Sequence, residues 1–292
     1  MGGRELSISN LGKVMYPGTG FTKGQLIEYY SRVAPAMLPH LVDRPLTMKR
    51  YPDGVDGPSF FEKHTPRHAP DWVRQVSVPS SDGGAAVDYT VVSDLPTLVW
   101  AANLAAIEFH VPLWHVGRRR NLPAPPDHMV FDLDPGEGTT VVECCQVAVA
   151  IADLLGARSL EPLAKTSGSK GLQLYVPVGA RATWPRIRGD AHGIATQLEQ
   201  DRPHLVVSNM RRTLRRNKVL IDWSQNHPAK TTVAAYSLRA RPEPTVSAPV
   251  TWDEVHRCAD DADPGLLRFT ASEVLARVEE MGDLFAPLGQ SL

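Results

Sequence analysis

The chain has little sulfur chemistry to offer. Its 292 residues include three cysteines, Cys144, Cys145 and Cys258. Three thiols cannot build a disulfide framework, and the adjacent pair lacks zinc-ligand spacing and sits in an apolar helical pattern. They are expected to be core thiols of a reducing compartment. Long hydrophobic runs are missing too. No stretch of about 18 apolar residues occurs, and the opening "MGGRELSISN" has no hydrophobic signal core, so a membrane association is not expected and a cytoplasmic location is. Excess charge is also lacking: 31 Lys and Arg stand against 32 Asp and Glu, a net charge of −1. The total therefore does not advertise a polyanionic partner, although local clusters such as "GRRRN" at 117–121 and "RRTLRRNK" at 211–218 set their own field. There is no internal repeat and no low-complexity linker.

What is present is an ordinary globular balance, 42% hydrophobic and 22% charged, in a length that suits roughly one or two domains. Twenty-five prolines and 22 glycines imply many turns. Thr22 with Gln25 three residues on forms a capping box that opens a helix, with Leu26, Tyr29, Tyr30 and Val33 at helical spacing. Residues 45–51 and 87–93 pattern as strands, and 93–114 as a buried helix running into a strand. Further on, "HMVFDL" is a strand and residues 139–157 an amphipathic helix with Val141, Cys144, Ala148, Ile151 and Leu155 on one face. "LEPLAKTS" and "GLQLYVPV" are two strands joined by the turn "SGSKG"; a helix covers "WPRIRGDAHGIATQLEQ" and a strand "KVLIDWSQ". Without regular strand–helix alternation, the fold class is α+β, with mixed or antiparallel sheets flanked by helices.

The chemistry concentrates in "HMVFDLDPGEGTT". Asp132 and Asp134, two apart on a strand, point to the same face and repel unless a cation lies between them. A solvated strand end with a turn is one explanation; a divalent-ion site built from hard oxygen ligands is the other. Asp222 ends a second apolar strand in the same way, and three carboxylates at strand ends can hold two divalent ions for in-line phosphoryl or nucleotidyl transfer. Between the acids, Ser167, Gly168, Ser169, Lys170 and Gly171 form a small-residue turn whose N–H groups and lysine suit phosphate, although the Gly-x4-Gly-Lys spacing of a P-loop is absent.

In this order "FDLDPG", "TSGSKGLQLYVP" and "VLIDWSQN" resemble the three motifs of the archaeo-eukaryotic primase-polymerase superfamily, and more narrowly the polymerase domain of the bacterial ligase D family of non-homologous end joining. "SNLGKVMYPGTGFTKGQLIEYY", "LPHLVDRPLTMKRYPDGVDGPSFFEKHTP" and "IEFHVPLW" extend the resemblance over roughly residues 5 to 290. It implies a primase-polymerase-type domain over 1–292, with a DNA-end-binding part over about 1–100 and a catalytic core over about 101–292. It implies that Asp132, Asp134 and Asp222 are the metal-binding and catalytic acids. Ser167, Gly168, Lys170 and Gln173 would belong to the triphosphate loop, and Lys49, His110, Arg215, Gln225 and Arg239 would line the incoming nucleotide. Lys13 and Lys23 would hold a 5′-phosphate at a helix start where the "TKGQ" capping box also offers free N–H groups, and Phe60 and Phe61, with Lys63 and Arg67 nearby, would stack on the template.

The implied activity is template-directed gap filling and end extension with NTP or dNTP, with a preference for ribonucleotides and for manganese (or magnesium), two ions per site. The implied partners are DNA with a 5′-phosphorylated gap or broken end, Ku and an ATP-dependent ligase, in a bacterial, nucleoid-associated setting. One position departs from the family: Gln173 stands where a histidine is usual, and it can donate to a phosphate oxygen but cannot carry a proton or charge. Taken singly, Phe60–Phe61 also fits core packing, Lys13 and Lys23 ordinary surface lysines, and His110 a satisfied core histidine. Two other functions compete. A haloacid-dehalogenase-type phosphatase shares a strand-borne DxD but needs Thr or Val where Gly136 stands. A non-catalytic DNA-end module needs no metal-spaced acids.

Overall fold

A computed structural model describes residues 4–79, 84–117 and 122–289. The arginines of the 117–121 cluster lie outside the described residues. Two compact units emerge: Met1–Ala124, Thr231–Ser247 and Phe269–Asp283 form one, and Pro125–Lys230, Ala248–Arg268 and Leu284–Leu292 the other. The first boundary between these units falls at Ala124, because the strand that follows the first two helices is hydrogen-bonded into the first unit's sheet. Among the described residues no helix is long and apolar enough to cross a membrane.

In chain order the first unit contains β1 (Val14–Tyr16), β2 (Phe21–Thr22), α1 (Lys23–Met37), β3 (Pro45–Arg50), β4 (Phe60–Glu62), β5 (Gln75–Val78), β6 (Val87–Val91), α2 (Leu95–Asn103) and β7 (Ala106–Val111). The second contains β8 (His128–Pro135), α3 (Val141–Gly156), β9 (Leu163–Thr166), β10 (Leu172–Pro177), α4 (Trp184–Asp201), β11 (Val206–Val207) and β12 (Val219–Asp222). The chain returns to the first unit for β13 (Thr232–Val233) and later α6 (Ala271–Met281), and to the second for β14 (Pro249–Val250), α5 (Trp252–Asp261) and α7 (Ala286–Gly289).

The first unit's sheet runs β13-β7-β3-β6-β5, with β4 also paired to β3. Helix α1 starts at the Thr22–Gln25 capping box and buries Leu26, Tyr29, Tyr30 and Val33. Its two tyrosines bring a hydroxyl into the core, where each needs a partner: Tyr29 donates to the Tyr236 carbonyl at 2.8 Å and Tyr30 to that of Ile107 at 2.6 Å.

The second unit's sheet runs β11-β12-β8-β10-β9-β14, antiparallel except for the β11–β12 pair. Strand β8 is central and apolar at Met129, Val130, Phe131 and Leu133, while α3 covers the sheet with Cys144, Ala148, Ile151 and Leu155. Val141, expected on that face, is only half-buried at the helix's first turn. All three cysteines are free and buried.

Strand β12 stops at Asp222, opposite Asp132, which would leave Val130 without a neighbour on that side. Asn226 takes the strand's place. Its Nδ2 donates to the Val130 carbonyl at 2.7 Å, and its Oδ1 accepts from the Val130 N–H at 2.9 Å. Fully buried, this amide ties the segment after Asp222 back to β8. Close backbone approach at the other end of β8 requires glycine: a Cβ on Gly136 would lie 1.8 Å from the Arg215 carbonyl oxygen, and one on Gly171 2.1 Å from that of Leu133.

Replacing Asn226 by alanine orphans a buried donor and acceptor of β8. The expected loss of stability is about 2–4 kcal/mol, read as a lowered denaturation midpoint with an unchanged slope.

Candidate active site

Register places the acids. In the antiparallel pairing of β12, β8 and β10, Asp222 lies opposite Asp132, and Asp132 opposite Gln173. Asp134, two residues along β8, shares their face because strand side chains alternate. Asp132 is half-buried and Asp134 exposed. Burial, with the neighbouring Asp134 and Asp222 carboxylates, pushes Asp132 up to about 7, against the hydrogen bond from Gln173.

Two of the three carboxylates, Asp132 and Asp222, are turned to separate partners. Asp132 Oδ1 accepts from Gln173 Nε2 at 3.0 Å. Asp222 caps the short 3-10 turn Trp223–Gln225: its Oδ1 accepts from the Ser224 N–H at 2.9 Å, and its Oδ2 from Gln225 Nε2 at 3.2 Å. Accordingly, among the described residues no three His, Cys, Asp or Glu side chains converge as a preformed metal cage. The donor set nonetheless fits a divalent ion. Like charges share one face, their repulsion raises Asp132, and all ligands are hard oxygens of the kind Mg²⁺ and Mn²⁺ take.

The hairpin between β9 and β10 is closed by the Ser167 N–H donating to the Gly171 carbonyl at 2.9 Å. Ser167 Oγ accepts from the N–H groups of Ser169, at 3.2 Å, and Gly171, at 3.0 Å. Those two amides, expected from sequence to be open to phosphate, are therefore committed within the turn. Gly168 supplies the left-handed residue, at φ 65°, and Lys170 is exposed at the tip. Arg215 Nη2 donates to the Met210 carbonyl at 2.6 Å, while its Nε is buried with no hydrogen-bond partner among the described residues.

The remaining expected residues belong to the first unit. Lys49 sits on β3, opposite Phe61 on one side and Glu108 on the other. Glu108, not singled out from sequence, organises this group. It accepts from His110 Nε2 at 3.0 Å and from the Ala240 N–H at 3.1 Å, and it lies 3.4 Å from Arg239 Nε. Burial alone would raise it, but His110, Arg239 and Ala240 hold it down to about 2. Burial lowers His110 despite Glu108, so the ring is neutral near pH 7 and donates through Nε2. The alternation in "IEFH" put Glu108 and His110 on one face and was the signal available.

Phe60 and Phe61 are 45% and 58% exposed, which removes the core-packing alternative. Their cations are Arg50, 5.3 Å from the Phe60 ring, and Lys49, 5.4 Å from that of Phe61, both from the paired strand β3 and not from the chain just beyond. Lys23 is buried and donates to the Ser9 carbonyl at 2.8 Å; Lys13 pairs with Asp53 at 3.0 Å. Burial first, then Lys13 and Arg50, lower Lys23, so the three cations share one neighbourhood. The first-turn amides of α1 are not open as expected from the capping box. Lys23 and Gly24 donate to the Lys13 and Leu11 carbonyls, and Gln25 to Thr22 Oγ1.

Comparison with known proteins decides what this arrangement is. Residues 22–285 match the family model described as LigD, primase-polymerase domain. The chain belongs to the LigD primase-polymerase domain family. A relative called multifunctional non-homologous end joining protein LigD, from Mycolicibacterium smegmatis, is 44% identical over 96% of this chain and 36% of its own length. The bifunctional non-homologous end joining protein LigD of Bacillus subtilis is 33% identical over 95% of this chain and 43% of its own. The chain thus spans well under half of these relatives. A solved structure of the polymerase domain of Mycobacterium tuberculosis ligase D in complex with DNA superposes with a TM-score of 0.91, at 42% identity, covering 98% of both chains.

The α+β class and the polymerase type of domain are those of the LigD family, whose primase-polymerase domains are nucleotidyltransferases. The phosphatase alternative falls with them, and Gly136 gives the local reason: no side chain fits against Arg215 there.

Glu108 provides a pH test. A depressed carboxyl stabilises the fold above its unfolded value of 4.5, and that stabilisation is lost as pH falls through about 2. The stability gap between the parent chain and Glu108→Gln is expected to shrink by about 3 kcal/mol as pH drops through this window, measured by urea unfolding at each pH.

Proposed function

We propose that this chain extends a 3′ end on a DNA template during end joining, as the polymerase part of a LigD-type repair enzyme. The observation that carries this is the register that sets Asp222 against Asp132, with Asp134 on the same face. In the reaction the primer's 3′-hydroxyl oxygen forms a bond to the α-phosphorus of an incoming nucleotide, and the bond to the bridging oxygen breaks, releasing pyrophosphate. Divalent ions, manganese or magnesium, would be held by Asp132, Asp134 and Asp222 and would lower the pKa of the attacking hydroxyl while steadying developing charge.

The chain's own groups do the rest. Lys170 supplies a point charge for the triphosphate, with Ser167 and Gly168 shaping the turn around it. Arg215 brings a buried Nε with no acceptor among the described residues, which suits a phosphate oxygen. Gln225 steadies Asp222. Lys49, His110 and Arg239 are assigned to the nucleotide, with Glu108 fixing the orientation of His110 and Arg239. Phe60 and Phe61, exposed and backed by cations, stack on template bases. The Lys13, Lys23 and Arg50 group favours an anion, in keeping with a 5′-phosphate at a gap or break, and it acts through side-chain charge without help from the helix amides. Ribonucleotides as preferred substrates, manganese as the preferred ion, and Ku and an ATP-dependent ligase as partners complete the proposal.

Asp132→Ala combined with Asp134→Ala is expected to lower primer extension on a 5′-phosphorylated gapped duplex by at least about 10³-fold, while duplex binding in a gel-shift assay stays within about twofold. Extension retained by that double variant contradicts the ion assignment. Lys13→Ala is expected to weaken binding to the gapped duplex only when the 5′-phosphate is present, read by fluorescence anisotropy with and without it.

A further inference from the structure

The second unit buries a lysine that no assigned role uses. Lys165, on β9, is 1% exposed and packs over the Tyr175 ring at 5.5 Å. Its cross-strand partner on β10 is Gln173, whose own partner on β8 is Asp132, followed by Asp222 on β12. One lateral row therefore crosses four strands: Lys165, Gln173, Asp132, Asp222.

The side chains along it are joined. Lys165 Nζ donates to Gln173 Oε1, and Gln173 Nε2 donates to Asp132 Oδ1. The direction is forced. An ammonium only donates, so it takes the amide oxygen and leaves the NH₂ group facing the carboxylate. Gln173 is 4% exposed, with each polar end engaged within the row.

We infer that Lys165 and Gln173 are positioning residues of the ion site: the lysine fixes the amide, and the amide fixes Asp132. This rests on the polymerase proposal. It moves Gln173 from the phosphate loop to the support of a metal ligand, and it gives the buried lysine a purpose. A neutral imidazole likewise presents one acceptor, for Lys165, and one donor, for Asp132. Such supporting hydrogen bonds set ligand orientation, and their loss weakens metal binding by about 10–100-fold.

Manganese binding to the whole chain, followed through the electron paramagnetic resonance signal of the free ion, tests this alongside the nucleotide KM at saturating manganese. Gln173→Leu and Lys165→Met are each expected to weaken manganese binding about tenfold, and the double variant no more than Gln173→Leu, because the lysine acts through the amide. Gln173→His is expected to stay within about threefold of the parent chain, and KM for the nucleotide to remain unchanged in all of them. Gln173→Leu conserves volume, so it decides the matter even if Lys165→Met does not fold, as checked by thermal unfolding. A folded Gln173→Leu with unaltered manganese affinity overturns the inference. So does a raised nucleotide KM with normal manganese binding, which returns Gln173 to the triphosphate. A parent chain that neither binds manganese nor extends a primer overturns the polymerase proposal instead.

Discussion

Like-charge repulsion on one face of a sheet is the constraint from which the rest of the second unit follows. Asp132, Asp134 and Asp222 are brought together by backbone hydrogen bonding, which is indifferent to side-chain charge. The surroundings then divide the load. Gln173 takes Asp132, and the Ser224 amide and Gln225 take Asp222. Each contact is an ordinary hydrogen bond, and together they keep Asp132 and Asp222 side by side. Asn226 and the tight approaches at Gly136 and Gly171 maintain the strand positions on which this depends. A slip of one residue between β8 and β12 would send Asp222 to the opposite face and dissolve the site.

The first unit solves the converse problem, holding cations together. Glu108 is the buried anion that makes Arg239 and His110 neighbours, and it keeps its charge because three donors surround it. Lys49 and Arg50 lean over exposed aromatic rings, which offer attraction without neutralising them. Lys13, Lys23 and Arg50 remain close enough to lower Lys23, a strain that a bound anion would relieve. Both units thus carry electrostatic stress of a sign that fits the ligand proposed for them.

Much of this was legible beforehand. The alternation in "HMVFDLDP", the capping box at Thr22 and the turn "SGSKG" each act within a few residues, and such signals survive folding because nothing distant competes with them. Motif order then carried the family. What could not be read lay in cross-strand partners. In sequence the neighbours of Gln173 are the loop; in space they are Lys165 and Asp132. The amides at the start of α1 looked open because Leu11 and Lys13 gave no sign that their carbonyls would fold back onto them.

Anomalous diffraction from crystals grown with manganese and a non-hydrolysable nucleoside triphosphate tests the central claim most directly. The account predicts manganese peaks bounded by carboxylate oxygens of Asp132, Asp134 and Asp222, with Asp222 turned partly away from Ser224 and Gln173 still on Asp132. Manganese bound elsewhere, with Asp132 held by Gln173 alone and Asp222 still on Ser224 and Gln225, would contradict it.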